Sequence, residues 1–385
     1  MSRLKTDKIL FGAVLVILSF GVLMLYSASS WMAKIDYGSS WHFVVRQAEW
    51  AVLAIIAMMV LKTTPYRNFQ NRAVAFSMLG VSFLLLVAVY FIDARHHRWM
   101  RFGSGGLASW VGFQPSELAK PVLVIFLAFF VAWRGRAINN RRYTLFPAAM
   151  ALGLLIGGVA MADLGTPILM GAAVVSVFFV AGLEMRYCFA VIAVGLLGVL
   201  VFIFAEPYRL GRVVKFFDPD FKLISHFDPS GKIKARTEQT LRTRDTNYQL
   251  EQSEIALGAG GAFGVGLMNG RQKLLYLPFA HTDFIYAVVG EETGMLGAAG
   301  VLLAFLVVAW RGLRAAFRMS DDFGRYLALG ITMMLIVQVL MNISVVLGMA
   351  PTKGIALPLI SYGGSSLVGT LAMLGMLMNV SEHAG

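Results

Sequence analysis

The sequence predicts an all-α membrane protein: a polytopic bundle of about ten transmembrane helices with one long extracytoplasmic loop. Three observations carry that expectation. Of 385 residues, 58% are hydrophobic and only 14% charged, against roughly 25% charged in a soluble domain. Mean hydropathy is +0.71 over the whole chain, and the apolar residues fall in runs of about 20, the length an α-helix needs to cross a bilayer. Lys and Arg gather in alternate connections between those runs, as they do on the cytoplasmic side of membrane proteins.

The expected spans are 9–29, 43–62, 73–93, 116–133, 144–162, 166–183, 187–206, 283–310, 325–348 and 359–380. The first follows a basic start, Met1–Lys8; it is too long for a signal-peptide core and ends without a small-x-small cleavage site, so it reads as uncleaved. The fourth opens at Gln114-Pro115-Ser116-Glu117, where Pro115 suits a first helical turn and Ser116 could cap. Asp163-Leu164-Gly165-Thr166-Pro167 makes a tight turn between spans five and six, capped by Asp163. The seventh holds the single cysteine, Cys188, read as a small packed hydrophobe; one cysteine rules out an internal disulfide.

An even number of spans puts both termini on one side. That side collects Arg3, Lys5 and Lys8; Lys62, Arg67 and Arg72; Arg134, Arg136, Arg141 and Arg142; Arg186; and Arg311, Arg314, Arg318 and Arg325. Both termini are therefore expected in the cytoplasm. The net charge of +12 has its origin in these loops, so no nucleic acid is expected as a partner. Arg95, Arg98 and Arg101 oppose the rule. With Trp99 they read either as an interfacial loop or as a surface for an anionic headgroup, since guanidinium forks match phosphate oxygens.

The chain reads as one membrane domain, 1–385, with a large extracytoplasmic connection at 207–282. In that connection Arg212–Asp245 mixes both signs of charge, and Ser230–Thr246 reads as mobile and solvated. Tyr248–Pro278 alternates large apolar residues with glycines, which suggests short helices or turns packed near the membrane surface.

Charged side chains at membrane depth are costly and usually face a cavity or a partner. Asp283 follows His281 and Thr282 at the start of span eight; it reads as a helix cap or as a catalytic carboxylate, and the two are compatible. Glu291 and Glu292 lie two turns deeper and should be paired or line a cavity; Gly290, Gly294 and Gly297 would let a neighbouring helix approach. Glu117 and Lys120 share a helix face and read as an ion pair or as substrate contacts. From Pro351 to Ser366, two prolines and a Gly-Gly-Ser-Ser run interrupt a helix, which is tolerated at membrane depth only beside protein or water. No Walker motif, metal-ligand spacing or serine elbow is present, which disfavours ATP-driven transport.

These residues resemble the SEDS family, the polytopic proteins of bacterial shape, elongation, division and sporulation. The resemblance runs from Leu10 to about Met378. It rests on Tyr26-Ser27-Ala28-Ser29, Arg98-Trp99, Gln114–Lys120, Asp163–Thr166, Tyr248-Gln249-Leu250, Tyr276–Phe284, Gly290-Glu291-Glu292 and Pro358–Ser366. Ser27-Ala28-Ser29 and Pro351–Gly354 look more like the division member FtsW than the elongation member RodA. Departures are Phe279, where the family often has Glu, the lead Asp93–His97 before Arg98, and a longer charged insertion at 219–246.

The resemblance implies a peptidoglycan glycosyltransferase that polymerises lipid II in the cytoplasmic membrane, with a class B penicillin-binding protein as usual partner among other divisome or elongasome proteins. It implies Asp283 as the catalytic carboxylate, with Arg98, Glu117 and Lys120 matching further family residues toward substrate; His281, Glu291, Lys353 and Ser361 are added as candidate substrate contacts. A sugar hydroxyl is a poor nucleophile, which a carboxylate base would help. The departing pyrophosphate needs positive charge, from Arg98, Arg212 or Lys353, or a divalent cation; no other cofactor is expected. The alternative is a lipid II flippase, which would move lipid between leaflets without lengthening glycan.

Overall fold

A computed structural model describes residues 6–93, 99–101, 112–163, 165–205, 207–218, 246–352 and 354–384. The helices are α1 (Lys8–Tyr37), α2 (His42–Thr63), α3 (Arg72–Ile92), α4 (Pro115–Arg134), α5 (Phe146–Ala162), α6 (Gly165–Val180), α7 (Met185–Ala205), α8 (Pro207–Phe217), α9 (Thr246–Gly260), α10 (Ile285–Arg318), α11 (Asp322–Val346) and α12 (Gly364–His383). Among the described residues nine helices are long and apolar enough to cross a membrane, and α6, with 16 residues, is a shorter apolar helix. These ten correspond to the expected spans. Two short strands, β1 (Met100–Arg101) and β2 (Gly112–Phe113), pair antiparallel before α4.

Local chemistry sets the ends. Asp7 caps α1 by accepting from the Leu10 amide at 3.1 Å, and Gly38 closes it in the left-handed conformation, φ 73°. Asn71 caps α3, and Asp321 caps α11. Asp163 accepts from the amides of Gly165 and Thr166, so the expected turn between α5 and α6 is present and capped as read. The α4 cap differs from expectation: Gln114 precedes the helix, and Ser116 lies inside it, accepting from the Gln114 amide group at 2.9 Å.

Two apolar helices take opposite places. The apolar window of α4 is 83% buried and that of α7 6%, so α4 is the centre of the bundle and α7 lies at its lipid-facing rim. Close approaches use small residues. A methyl at Gly375 of α12 would collide with the Met58 carbonyl of α2, and one at Gly21 of α1 would meet the backbone of Leu359.

Two helices are interrupted on the same side of the bundle. The tenth span begins at Gly364 rather than 359, because Leu359 sits in the left-handed region (φ 65°) and the residues before Gly364 are turns. Within α10, Gly294 has φ 68° and ψ −170°, which breaks the hydrogen-bond ladder.

Candidate active site

The turn His281–Phe284 meets the interrupted segment 351–363, and hydrogen bonds from four elements fasten them together. The Tyr362 amide donates to the His281 carbonyl at 3.0 Å. The Ser361 hydroxyl donates to the Thr282 carbonyl at 2.6 Å and accepts from the Leu357 amide at 2.8 Å. From α11, the Asn342 side-chain amide donates to the carbonyls of Asp283 (2.8 Å) and Ile355 (2.7 Å). From α2, Gln47 donates to the Ser361 carbonyl at 3.3 Å and accepts from the Gly363 amide at 3.2 Å. Each of these backbone groups lacks a helical partner, and an unpaired one would be costly at this depth.

Asp283 is half-buried and does not cap α10: the N-cap position is Phe284, with no side-chain cap. Its carboxylate faces Gly354, where a Cβ would lie 2.9 Å from Asp283 Oδ2. Gly354 therefore gives the carboxylate its room. Arg212 of α8 donates to the Thr352 carbonyl at 3.0 Å, which brings a guanidinium to the same segment.

His281 is buried against the rings of Phe43 (4.7 Å) and Tyr362 (5.9 Å), and its Nδ1 has no hydrogen-bond partner. Burial pushes its pKa down to about 4, so the imidazole is neutral at neutral pH. Deeper in the bundle, Lys120 pairs with Glu117 at 2.7 Å and donates to Gln338 at 3.3 Å; Gln338 donates to the Ala356 carbonyl at 2.9 Å. The pair on α4 is thus joined through α11 to the interrupted segment. Lys120 is only 2% exposed.

Glu291 and Glu292 are both paired. Glu291 accepts from the amides of Arg271 (2.7 Å) and Gln272 (3.2 Å). Glu292 pairs with Lys273, and the Ser27 hydroxyl donates to it at 2.7 Å. The helix at Gly290 is α9, whose Gly260 lies against the Gly290 carbonyl. Gly294 instead receives the loop that follows α9.

The structure gathers His281, Asp283 and Ser361 just before the start of α10, ties Glu117 and Lys120 to them at one remove, and sets Glu291 against the 268–273 segment. Arg98 and Lys353 lie outside the described residues, as do 94–97, 102–111 and the charged stretch 219–245. Asp93 accepts from the Trp99 amide at 3.2 Å. Among the described residues no three His, Cys, Asp or Glu side chains converge as a metal site. Gln47, Gln338 and Lys273 escaped the sequence reading. An amide four residues before Asn342 in an apolar run was the available signal for Gln338.

Fold and site define a multi-pass membrane protein whose broken helices are held by buried polar side chains. The chain belongs to the FtsW/RodA/SpoVE family of cell cycle proteins, whose profile matches residues 7–385. A Geobacter sp. (strain M18) protein named "Probable peptidoglycan glycosyltransferase FtsW" is 37% identical over 387 residues, covering 98% of this chain and 97% of that one. Stage V sporulation protein E of Bacillus subtilis (strain 168) is 34% identical over 395 residues and covers 100% of both. Among solved structures, a chain of a peptidoglycan synthase complex that coordinates polymerization and crosslinking matches with TM-score 0.75 at 27% identity, over 99% of each chain. The rod shape determining protein RodA of Thermus thermophilus matches with TM-score 0.66 at 24% identity, covering 99% of this chain and 98% of that one.

Proposed function

We propose that this chain is a peptidoglycan glycosyltransferase of the bacterial cytoplasmic membrane, and that Asp283 is its general base. The observation that carries the reading is the placement of Asp283: a half-buried carboxylate beside Gly354, on a turn whose carbonyls are held by Asn342 and Ser361. Asp283 takes the proton from the 4-hydroxyl of one lipid II disaccharide as that oxygen bonds the anomeric carbon of the growing strand. The bond from that carbon to the lipid pyrophosphate breaks, with inversion, and the pyrophosphate leaves with the electron pair. Arg212, tied to the adjacent segment, supplies positive charge toward the leaving group together with Arg98 and Lys353.

His281, neutral and buried, shapes the site; Ser361 fixes the turn; Glu117 and Lys120 act through Gln338 on the segment facing Asp283. Both termini lie in the cytoplasm, the chain is one membrane domain, and the 207–282 connection enters the bundle from the outer side. The relatives named as peptidoglycan glycosyltransferases and the synthase-complex neighbour support this reading, and support a class B penicillin-binding protein as the transpeptidase partner.

The test uses purified protein in detergent with lipid II, where no leaflets exist and a flippase would make nothing. Wild type yields long glycan strands, and Asp283→Ala folds but yields none. Strands of unchanged yield from that variant would refute the assignment.

A further inference from the structure

Resting on that reading, we infer that Ser27, Lys273 and Glu292 form a buried clasp that positions the loop carrying Asp283 and so sets the rate of the chemical step. The break at Gly294 frees backbone groups on both sides of it. The amides of Val265 and Gly266 donate to the Glu291 and Glu292 carbonyls at 3.0 and 3.1 Å. In return, the amides of Met295 and Leu296 donate to the Gly261 and Ala262 carbonyls at 2.9 and 3.2 Å. The groups freed by the break are thus paired with the incoming loop, as backbone in a membrane interior must be. A Cβ at Gly264 or Gly294 would drive one backbone into the other.

From this dock the chain runs through 268–284 to the candidate base. Three residues on the way lie in the left-handed region without being glycine: Met268 (φ 68°), Leu275 (φ 72°) and Phe279 (φ 58°). Such conformations persist only where the surroundings over-determine them. Glu292 supplies much of that determination: besides Lys273 and Ser27, it accepts from the Met268 amide at 3.1 Å. Lys273 also donates to the Ser27 hydroxyl at 2.8 Å, which closes a three-membered cycle. The cycle joins α1, α10 and the loop, and Ser27, Lys273 and Glu292 are respectively 2%, 5% and 1% exposed.

Apolar packing could anchor the loop without the desolvation cost of an ion pair. Charge-assisted hydrogen bonds add direction: they fix where Lys273 sits relative to both helices. The far end of the segment is fastened by Asn342 and Ser361, so Asp283 hangs between two polar anchors ten residues from the clasp. The Ser27-Ala28-Ser29 motif thereby gains a role.

The experiment measures lipid II polymerisation, thermal stability and amide hydrogen exchange on purified Ser27→Ala and on the double variant Lys273→Met/Glu292→Gln. The expected result is kcat lowered about tenfold or more with KM within about twofold, as for an interaction that matters in the transition state. Exchange over 268–284 should quicken while α11 is unchanged. The double variant, with both charges gone, should melt near wild type. Wild-type kcat in Ser27→Ala, or in a stably folded double variant, overturns the clasp; if the double variant does not fold, Ser27→Ala alone decides. An inactive wild type would instead overturn the glycosyltransferase reading, and an active Asp283→Ala would overturn the assignment of the base that the clasp is inferred to position.

Discussion

Asn342→Leu is the sharpest test of how the site is built. Leucine keeps the number and branching of asparagine's side-chain heavy atoms and is somewhat bulkier, so the change removes hydrogen bonds and opens no cavity. Two carbonyls lose their donor, those of Asp283 at 2.8 Å and Ile355 at 2.7 Å. A buried acceptor left unpaired costs about 1–3 kcal/mol, so the expected loss of stability is roughly 2–4 kcal/mol once partial relaxation and stray water are allowed for. The larger effect falls on rate. The Asp283 carbonyl is held directly, and a catalytic group displaced by about 1 Å loses on the order of 10²-fold. Polymerisation of lipid II by the purified variant should therefore fall about 10²-fold while lipid II binding is kept. Wild-type turnover with a lowered melting temperature would show that Asn342 serves folding only, and the argument that links the turn's backbone to Asp283 would fail.

Two further outcomes follow from the same geometry. Lys120→Met leaves Glu117 as an unpaired buried carboxylate and should cost about 3–5 kcal/mol, whereas Lys120→Met/Glu117→Gln should recover most of it; thermal melts in detergent measure both, and equal melting of single and double variants would contradict the pairing. His281 has a folded-state pKa of about 4, depressed by burial from 6.5. Above the unfolded value its neutral form costs nothing. As pH falls from 6.5 toward 4 the unfolded chain binds the proton first, so stability declines, by roughly 3 kcal/mol in all. His281→Phe should flatten that acid limb of a melting-temperature profile, and an unchanged limb would place the titration elsewhere.

The spans were legible because hydropathy is a property of each segment alone: a run of about 20 apolar residues needs no knowledge of its neighbours. Asp283, Glu117, Lys120, Glu291 and Glu292 were legible for the opposite reason, as charges left where charges are expensive. Their partners were not. Gln338 joins Lys120 to Ala356, and Ser27 meets Glu292 across 265 residues of chain; such pairings exist only once helices pack. The kink at Gly294 was hidden too, because Gly-x-x-x-Gly spacing signals close approach without saying what approaches. At Gly290 it is a helix, and at Gly294 it is a loop that replaces part of the helix's own ladder. The reading of Asp283 as a cap failed because the helix begins two residues later than the apolar run suggested.

The distribution of buried polar groups follows from the two interruptions. An intact apolar helix satisfies its own backbone and asks nothing of its neighbours, and α7 accordingly sits at the rim with almost none of its surface inside. A broken helix exposes carbonyls and amides that must be paired. Asn342, Gln338, Gln47 and Ser361 answer the break before α12, and the 261–266 loop answers the one in α10. Those breaks also bring together the turn and the segment where a half-buried carboxylate stands beside a bare glycine. The same polar side chains that make the interruptions affordable therefore fix the geometry of the site. Apolar replacements of similar shape at these positions should cost rate out of proportion to stability, the reverse of what substitutions of the buried apolar residues along α4 would do.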